Sequence, residues 1–492
     1  MVFELLRAPT KVMDPSDLLR RSVFDTYKPL IHAMMVCHKW YVVASEKASL
    51  WTDVDYSYGR AGPTCLLERS GTAPIHLRLN LEGLAGDEAY FGGVVRTNAS
   101  RLRQLDLADL DAKHTTAGQL LENDMPLLQC LRMYEEYYRR NAVSGNRLCR
   151  FPSLRGMILM GLLWLPAPEV GPLTKLTHLH ISTLPDIPMG TITTLLDATP
   201  ALEVLELHEC RAVNQRKLPT RTTTLQHLTH LTIRRMFTSL AGVFMPALVL
   251  PRATTVCLWF DVDTHVTDAI LPHPPSWPDV TRIHVDEDIY GSLSVELDGD
   301  AHRVALRLEY DPDDEWEDRP LWPLPVPTLL QLAQVSAAHL CILDWYLLPQ
   351  LVSRVPALAT LVVEARQVDS VNVGEMVGAL AAVLLQEDPA VLCPGLREVA
   401  LIASAAMHGL TERLAPALKK RRRDGRQIER LRTWIKIEAH TPRTTTARDM
   451  GDALAEYVGA GEVEHEEGAF WLRDEELWRR ENEFWEVPRT WW

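Results

Sequence analysis

The feature that most constrains this chain is an apolar cadence that returns every 26 residues. Leu79, Leu105, Leu131 and Met157 keep that stride; after a slip of phase Leu179, Leu205, Leu231 and Cys257 keep it again, and Ile283 continues it. Several of these positions sit in the pattern L-x-x-L-x-L/I: Leu102, Leu105 and Leu107; Leu128, Leu131 and Met133; Leu176, Leu179 and Ile181; Leu202, Leu205 and Leu207; Leu228, Leu231 and Ile233. Side chains alternate across a strand, so each core sends its leucines one way and the residues between them the other. At Cys257 the phase stays open, because Val256 and Leu258 compete with it for the inward position.

A fixed period of this length carrying this pattern predicts an α/β leucine-rich-repeat-like solenoid, with a parallel sheet on one side and helices or irregular turns on the other. Thr193 to Ala198, Leu347 to Val355 and Gly374 to Gln386 read as helical returns. Later strands centre on Leu306 and Leu308, Leu340 and Ile342, Leu361 and Val363, and Val399 and Leu401; their spacing is uneven. Asp311 to Pro327 reads as an exposed acidic, proline-rich excursion. A fold of this kind holds other macromolecules more often than it does chemistry. The outward residues His178, His180, Glu206, His230, Thr232, Arg282, His284, Arg307 and Glu309 are therefore the expected partner-binding face, set against the plainer reading of a solvated polar surface.

Composition narrows the function further. A net charge of −14 disfavours general affinity for nucleic-acid phosphates. The 8 cysteines are scattered, with no C-x-x-C pair, and read as reduced thiols, neither a disulfide framework nor a zinc site. His178 and His180 share a strand face near His230, but no carboxylate or cysteine completes a ligand set by spacing, so no metal and no cofactor is expected. Nucleophile-elbow, Walker, H-E-x-x-H and G-x-G-x-x-G patterns are absent, which argues against an enzyme. Met1 to Pro9 lacks the apolar core of a secretory signal. Met376 to Leu385 is far shorter than the roughly 20 residues that cross a bilayer. The expectation is a soluble cytoplasmic or nuclear protein with neither membrane nor nucleic-acid partners. Lys419 to Arg423 reads as a solvated helix end more readily than as a nuclear signal.

The chain divides by pattern into residues 1–55, 56–440 and 441–492. The first part reads as short helices, with a helix start at Asp14 to Asp17 and a helix from Leu30 to Lys47 that places Ile31, Met34, Met35, His38 and Val42 near one face. The last part is acidic and tryptophan-rich. Trp471, Trp478 and Trp485 recur at heptads, which predicts a helix over Glu466 to Glu486 that caps the repeats.

The stretch LIHAMMVCHKWYVVASEKASLWTDV, Leu30 to Val54, resembles the second half of an F-box, through Val36-Cys37-His38-Lys39-Trp40 and Ser49-Leu50-Trp51. Leu66 to Ile75 and Leu414 to Leu431 are similar to segments of the fungal F-box proteins with degenerate leucine-rich repeats. Asp14 to Leu19 looks like the turn of that motif, whereas Val2 to Leu6 departs from its L-P-x-E opening, so the N-terminal half is degenerate or incomplete. The resemblance implies a substrate-recruiting adaptor of a cullin-based (SCF-type) ubiquitin ligase. A Skp-type adaptor would dock on Leu18, Leu19, Leu30 and Met34, and the repeats would hold an unknown protein substrate. The alternative is a repeat scaffold with a decayed F-box and no ligase role. Trp40, Leu50 and Trp51 are expected to be buried between the helices and the first repeat.

Overall fold

The structure, a computed structural model, describes residues 23–56, 60–80, 88–108, 120–134, 151–161, 173–183, 189–210, 222–237, 244–251, 254–261, 280–287, 293–299, 303–309, 334–341, 345, 348–353, 355–365, 370–386, 393–403, 410–435, 454, 457–458 and 463–467. The chain forms two compact units, one made of residues 1–236, 247–251 and 483–492 and the other of 237–246 and 252–482. Both are mixed α/β, built mainly on parallel strands.

The first unit opens with two helices, α1 (Val23–Val36) and α2 (His38–Glu46), separated by Cys37 in an extended conformation. Along α1 the buried positions are Tyr27, Leu30, Ala33 and Met34, a stripe at helical spacing. They pack with Ala44, Leu50 and Trp51 into one cluster. Trp51 organises it. Its indole N–H donates to the Ala44 carbonyl at 2.8 Å, one of the acceptors that the last turn of α2 leaves without a helical partner. Its ring stacks on Tyr27 at 5.7 Å. The Tyr27 hydroxyl donates to the Asp53 carbonyl at 2.8 Å and accepts from the Asp53 N–H at 2.9 Å, which ties α1 to the first strand. Removing a buried tryptophan of this kind typically costs about 3–5 kcal/mol. Leu50 and Trp51 are buried as expected, but Trp40 is 39% exposed, although it lies one turn before the buried Ala44 on the same side of α2.

The strands of this unit are β1 (Asp53–Asp55), β2 (Ile75–Asn80), β3 (Leu102–Ala108), β4 (Cys130–Tyr134), β5 (Gly156–Met160), β6 (His178–Ser182), β7 (Val204–His208) and β9 (His230–Phe237), each parallel to the next. A two-residue pair, β8 (Thr223–Thr224) with β10 (Leu248–Val249), lies apart from this ladder. Helices α3 (Ala61–Arg69), α4 (Glu88–Asn98) and α5 (Met189–Asp197) occupy returns. Leu105, Leu131, Met157, Leu179, Leu205 and Leu231 align in one buried column, with Leu77 at its head. The column therefore begins at Leu77, 28 residues before Leu105, whereas Leu79, which keeps the 26-residue stride, pairs with Leu107.

Two further columns run beside the leucines. Before the strands, Gln129, Arg155, Thr177, Glu203 and Thr229 each donate a backbone N–H to the carbonyl of the equivalent residue one repeat back, at 2.7–2.9 Å. Gly161, Thr183 and Glu209, just after β5, β6 and β7, and Arg235, at the equivalent place within β9, all take a left-handed φ of 50–70°. The N–H groups of Gly161, Thr183 and Glu209 reach the carbonyls of Ser182, His208 and Arg234, each the residue just before the next left-handed position. The left-handed backbone is thus a property of the repeat, and only at Gly161 is it met by a residue without a Cβ.

In the second unit β11 (Thr255–Asp261) pairs in parallel with β14 (Arg303–Glu309), which is antiparallel to β13 (Leu293–Gly299), which is antiparallel to β12 (Val280–Glu287). From β12 the parallel ladder resumes through β15 (Ala337–Cys341), β16 (Thr360–Ala365), β17 (Glu398–Ala403), β18 (Arg430–Ile435) and β19 (Val463–Glu467). An antiparallel meander thus interrupts the repeats where the spacing becomes uneven. At β11 the inward residues are Val256, Leu258 and Phe260, so Cys257 belongs to the opposite face although it too is buried. Helices α6 (Leu348–Ser353), α7 (Ser370–Leu385) and α8 (Leu410–Arg423) fill later returns. Within the basic run at the end of α8, Arg421 is buried and donates to the Cys393 and Arg426 carbonyls, and Lys420 donates to Leu385 at the C-terminus of α7. Those two cations serve as helix-end donors, while Lys419, Arg422 and Arg423 are exposed. The ladder continues past residue 440, and Glu466 and Glu467 are in β19, not a helix. Trp471, Trp478 and Trp485 lie outside the described residues, as does the Asp311 to Pro327 segment.

Left-handed backbone is unfavourable for a β-branched residue by roughly 1–2 kcal/mol. Thr183→Gly is therefore expected to raise the stability of the chain by about 1 kcal/mol, read as a higher urea midpoint. A lower midpoint would mean that the Thr183 side chain outweighs the backbone term.

Candidate protein-interaction site

Two surfaces of the first unit stand out, and both follow from which residues the core consumes. Beside the inward α1 stripe at Tyr27, Leu30 and Met34, the neighbouring residues Ile31 and Met35 lie at its edge and reach the surface. Ile31 is 41% exposed, Met35 79% and Val36 67%; across the Cys37 break, Trp40, Tyr41 and Val43 are exposed to a similar degree. Nine large apolar side chains are exposed among the described residues, and six of them fall within residues 31–43. Isolated apolar residues are ordinary on a protein surface; such a concentration makes residues 31–43 a candidate interaction site. Of the residues expected to contact an adaptor, Leu30 and Met34 are buried in the cluster around Trp51. Leu18 and Leu19 lie outside the described residues. The sequence signal for the exposed set was present: two apolar stripes run along α1, and only one can face the core.

The second surface is the sheet face opposite the leucines. Register places Asp55, Arg78, Asp106, Arg132, Ile158, His180, Glu206 and Thr232 in one row across the ladder. Its first four members alternate in charge, and neighbouring strands stand about 4.8 Å apart, so each rung is attractive. Arg78 lies 3.5 Å from Asp55 and 3.6 Å from Asp106, and Arg132 lies 3.9 Å from Asp106. In the adjoining row His76 joins them, 2.7 Å from Asp106 and 3.5 Å from Asp53, and Gln104 donates to Asp106 at 3.0 Å. Burial alone would lower the His76 pKa; the charge and hydrogen bond of Asp106, and then those of Asp53, overcome it and raise the value to about 9. Burial pushes Asp106 up, but His76, Arg132 and Arg78 hold it well below the usual carboxylate range.

Beyond Ile158 the row changes character. His180 is hydrogen-bonded to Glu206. Burial raises the Glu206 pKa less than His180 and Arg234 lower it, so the carboxylate is ionised. His178, His208 and His230 are each held below the ordinary histidine value by burial first and are neutral near pH 7. Of the expected partner face, His178, His180, Glu206, His230 and Thr232 do share one side of this sheet, yet His178 and Thr232 are buried. In the second unit Arg282 is exposed and His284 is buried, stacked on His339 at 4.7 Å. Arg307 and Glu309 are on β14, separated from Arg282 and His284 on β12 by β13, so these four do not form neighbouring rungs. The side chains of Arg307 and Glu309 lie outside the described residues.

Among the described residues no group of three or more His, Cys, Asp or Glu has the arrangement to hold a metal ion. Burial pushes the Cys130 thiol up to about 11 and Cys393 up to about 12, which keeps both protonated and unreactive.

No protein-family model matches this chain, and no curated protein does. Among solved structures, the "Crystal structure of TLR13-ssRNA13 complex" is similar at 14% identity, over 70% of this chain and 44% of that one, with a TM-score of 0.27. The chain thus spans less than half the length of that protein, and a likeness of this size carries no argument about function.

The His76–Asp106 pair has a defined pH signature. A histidine whose pKa is raised on folding contributes stability that is complete below about 6.5 and is lost as pH rises through about 9. His76→Gln should therefore cost about 1–3 kcal/mol at mildly acidic pH and progressively less on the alkaline side, in paired urea denaturations. A cost that stays constant across that range would show that His76 acts through its shape alone.

Proposed function

We propose that this chain is a leucine-rich-repeat-like, F-box-type adaptor that recruits a protein substrate to a cullin-based (SCF-type) ubiquitin ligase in the cytoplasm or nucleus. The observation that carries the reading is the concentration of exposed apolar side chains on α1 and α2, within the segment that carries V-C-H-K-W and leads into S-L-W. A helical pair with one apolar face committed to Trp51 and a second facing solvent is built to receive another protein. A Skp-type adaptor would cover Ile31, Met35, Val36 and Tyr41. The polar sheet face, whose side chains are held in rows by the register, would then meet the substrate. Among the described residues no helix is long and apolar enough to cross a membrane, which is compatible with this placement.

The test is a pull-down of the full chain with a purified Skp-type adaptor, comparing wild type with the double variant Met35→Asp, Val36→Asp. Both residues are exposed, so the variant should melt like wild type while binding falls at least about tenfold, since an interface depends on a few apolar anchors. Retained binding in the variant would place the adaptor elsewhere. If wild type does not bind the adaptor at all, a repeat scaffold without a ligase role becomes the better reading.

A further inference from the structure

Between α1, β1 and α3 lies a cavity of about 330 Å³. Its lining includes Tyr27, Ile31, Met34, Met35, Tyr41, Trp51 and Leu66, with the charged groups Asp55 and Arg69. A volume of this size is at the lower end of small-molecule sites, which run from roughly 300 to 1,000 Å³ and are apolar with a few placed polar groups. The polar atoms of the two central aromatics are committed elsewhere. The Tyr27 hydroxyl is held by the Asp53 backbone and the Trp51 N–H by the Ala44 carbonyl, so what these two residues add to the lining is apolar.

The two charges in the lining are not equivalent. Asp55 is buried, and Arg78 stands 3.5 Å from its carboxylate. Arg69 has its guanidinium carbon 4.8 Å from the centre of the Trp51 ring and makes no ion pair among the described residues. An arginine stacked on an aromatic face keeps its in-plane N–H donors for a planar anion. The free charge of the cavity is therefore positive and is mounted on its aromatic wall.

We propose that this cavity binds a small aryl or alkyl carboxylic acid, its hydrocarbon body between Tyr27, Met34 and Leu66 and its carboxylate paired with Arg69. The apolar walls supply the affinity for the body by removing it from water. The low-dielectric surroundings strengthen the pairing at its end. An amine of the same shape would meet Arg69 as a like charge and find Asp55 already opposed by Arg78. The inference does not rest on the ubiquitin-ligase reading, although an adaptor seated on Ile31, Met35 and Tyr41 would compete with the acid for this cavity, and its test involves no adaptor.

Isothermal titration of the full chain with phenylbutyrate, phenylbutanol and phenylbutylamine separates charge from apolar burial. The acid should bind more tightly than the alcohol, and the alcohol more tightly than the amine. In Arg69→Gln the acid should weaken about tenfold, toward the level of the alcohol, while the alcohol is unchanged. Arg69→Lys, which keeps the charge, should restore part of the difference. Wild-type chain that does not bind the acid, or binds acid and alcohol alike, overturns the proposal. So does a folded Arg69→Gln chain that binds the acid as wild type does. Should Arg69→Gln fail to fold, the acid-to-alcohol ratio of wild type and its fall with added salt decide the question.

Discussion

Everything in the first unit depends on one constraint: each strand pairs in parallel with the next at a register that keeps the inward leucines in line. A slip of one residue would turn each leucine toward solvent, so burial of the column from Leu105 to Leu231 fixes the register strongly. The same constraint arranges the other face without further design. Once the leucines align, Asp55, Arg78, Asp106 and Arg132 must align as well, and their alternating sign makes the alignment favourable. A carboxylate such as Asp106, set among His76, Arg78 and Arg132, is then costly to remove, because three cations would lose their common partner.

The helices at the start of the chain use a different device. Trp51 does three things at once: it fills the cluster, supplies an acceptor of α2 with its indole N–H, and presents a ring to Tyr27 and Arg69. Because Trp51 lies just ahead of β1, the helices are anchored to the first strand and not to a flexible connection. That anchoring leaves Ile31, Met35 and Val36 without an internal role. The apolar patch and the cavity beside it both follow from it.

Much of this was legible in the residues. The L-x-x-L-x-L runs identified β3, β4, β6, β7 and β9; the single helix expected over Leu30 to Lys47 is instead two, broken at the extended Cys37, and the first begins at Val23. What escaped detection did so for physical reasons. On α1, hydrophobicity alone could not decide between the stripe with Leu30 and the stripe with Met35, since both are apolar and only Trp51 settles which is inside. At Cys257 a run of apolar residues on both faces hid the phase, which Val256 and Leu258 carry. The meander of β12, β13 and β14 was invisible because each of its strands alternates much like a parallel repeat strand, and orientation leaves no mark on alternation. The left-handed backbone at Thr183, Glu209 and Arg235 gave no glycine to notice. On the sheet face His180 and Glu206 were read as neighbours and are hydrogen-bonded, but burial of His178 and Thr232 depends on surroundings that strand alternation does not encode.

The central claim is that residues 31–43 form a docking surface for another protein, while the leucine columns serve to position it. Hydrogen–deuterium exchange of the full chain, with and without a purified Skp-type adaptor, tests that claim most directly. The account predicts new protection concentrated in α1 and α2, with the amides of β3 to β7 unchanged. Protection that appears only along the sheet, or none anywhere, would contradict it.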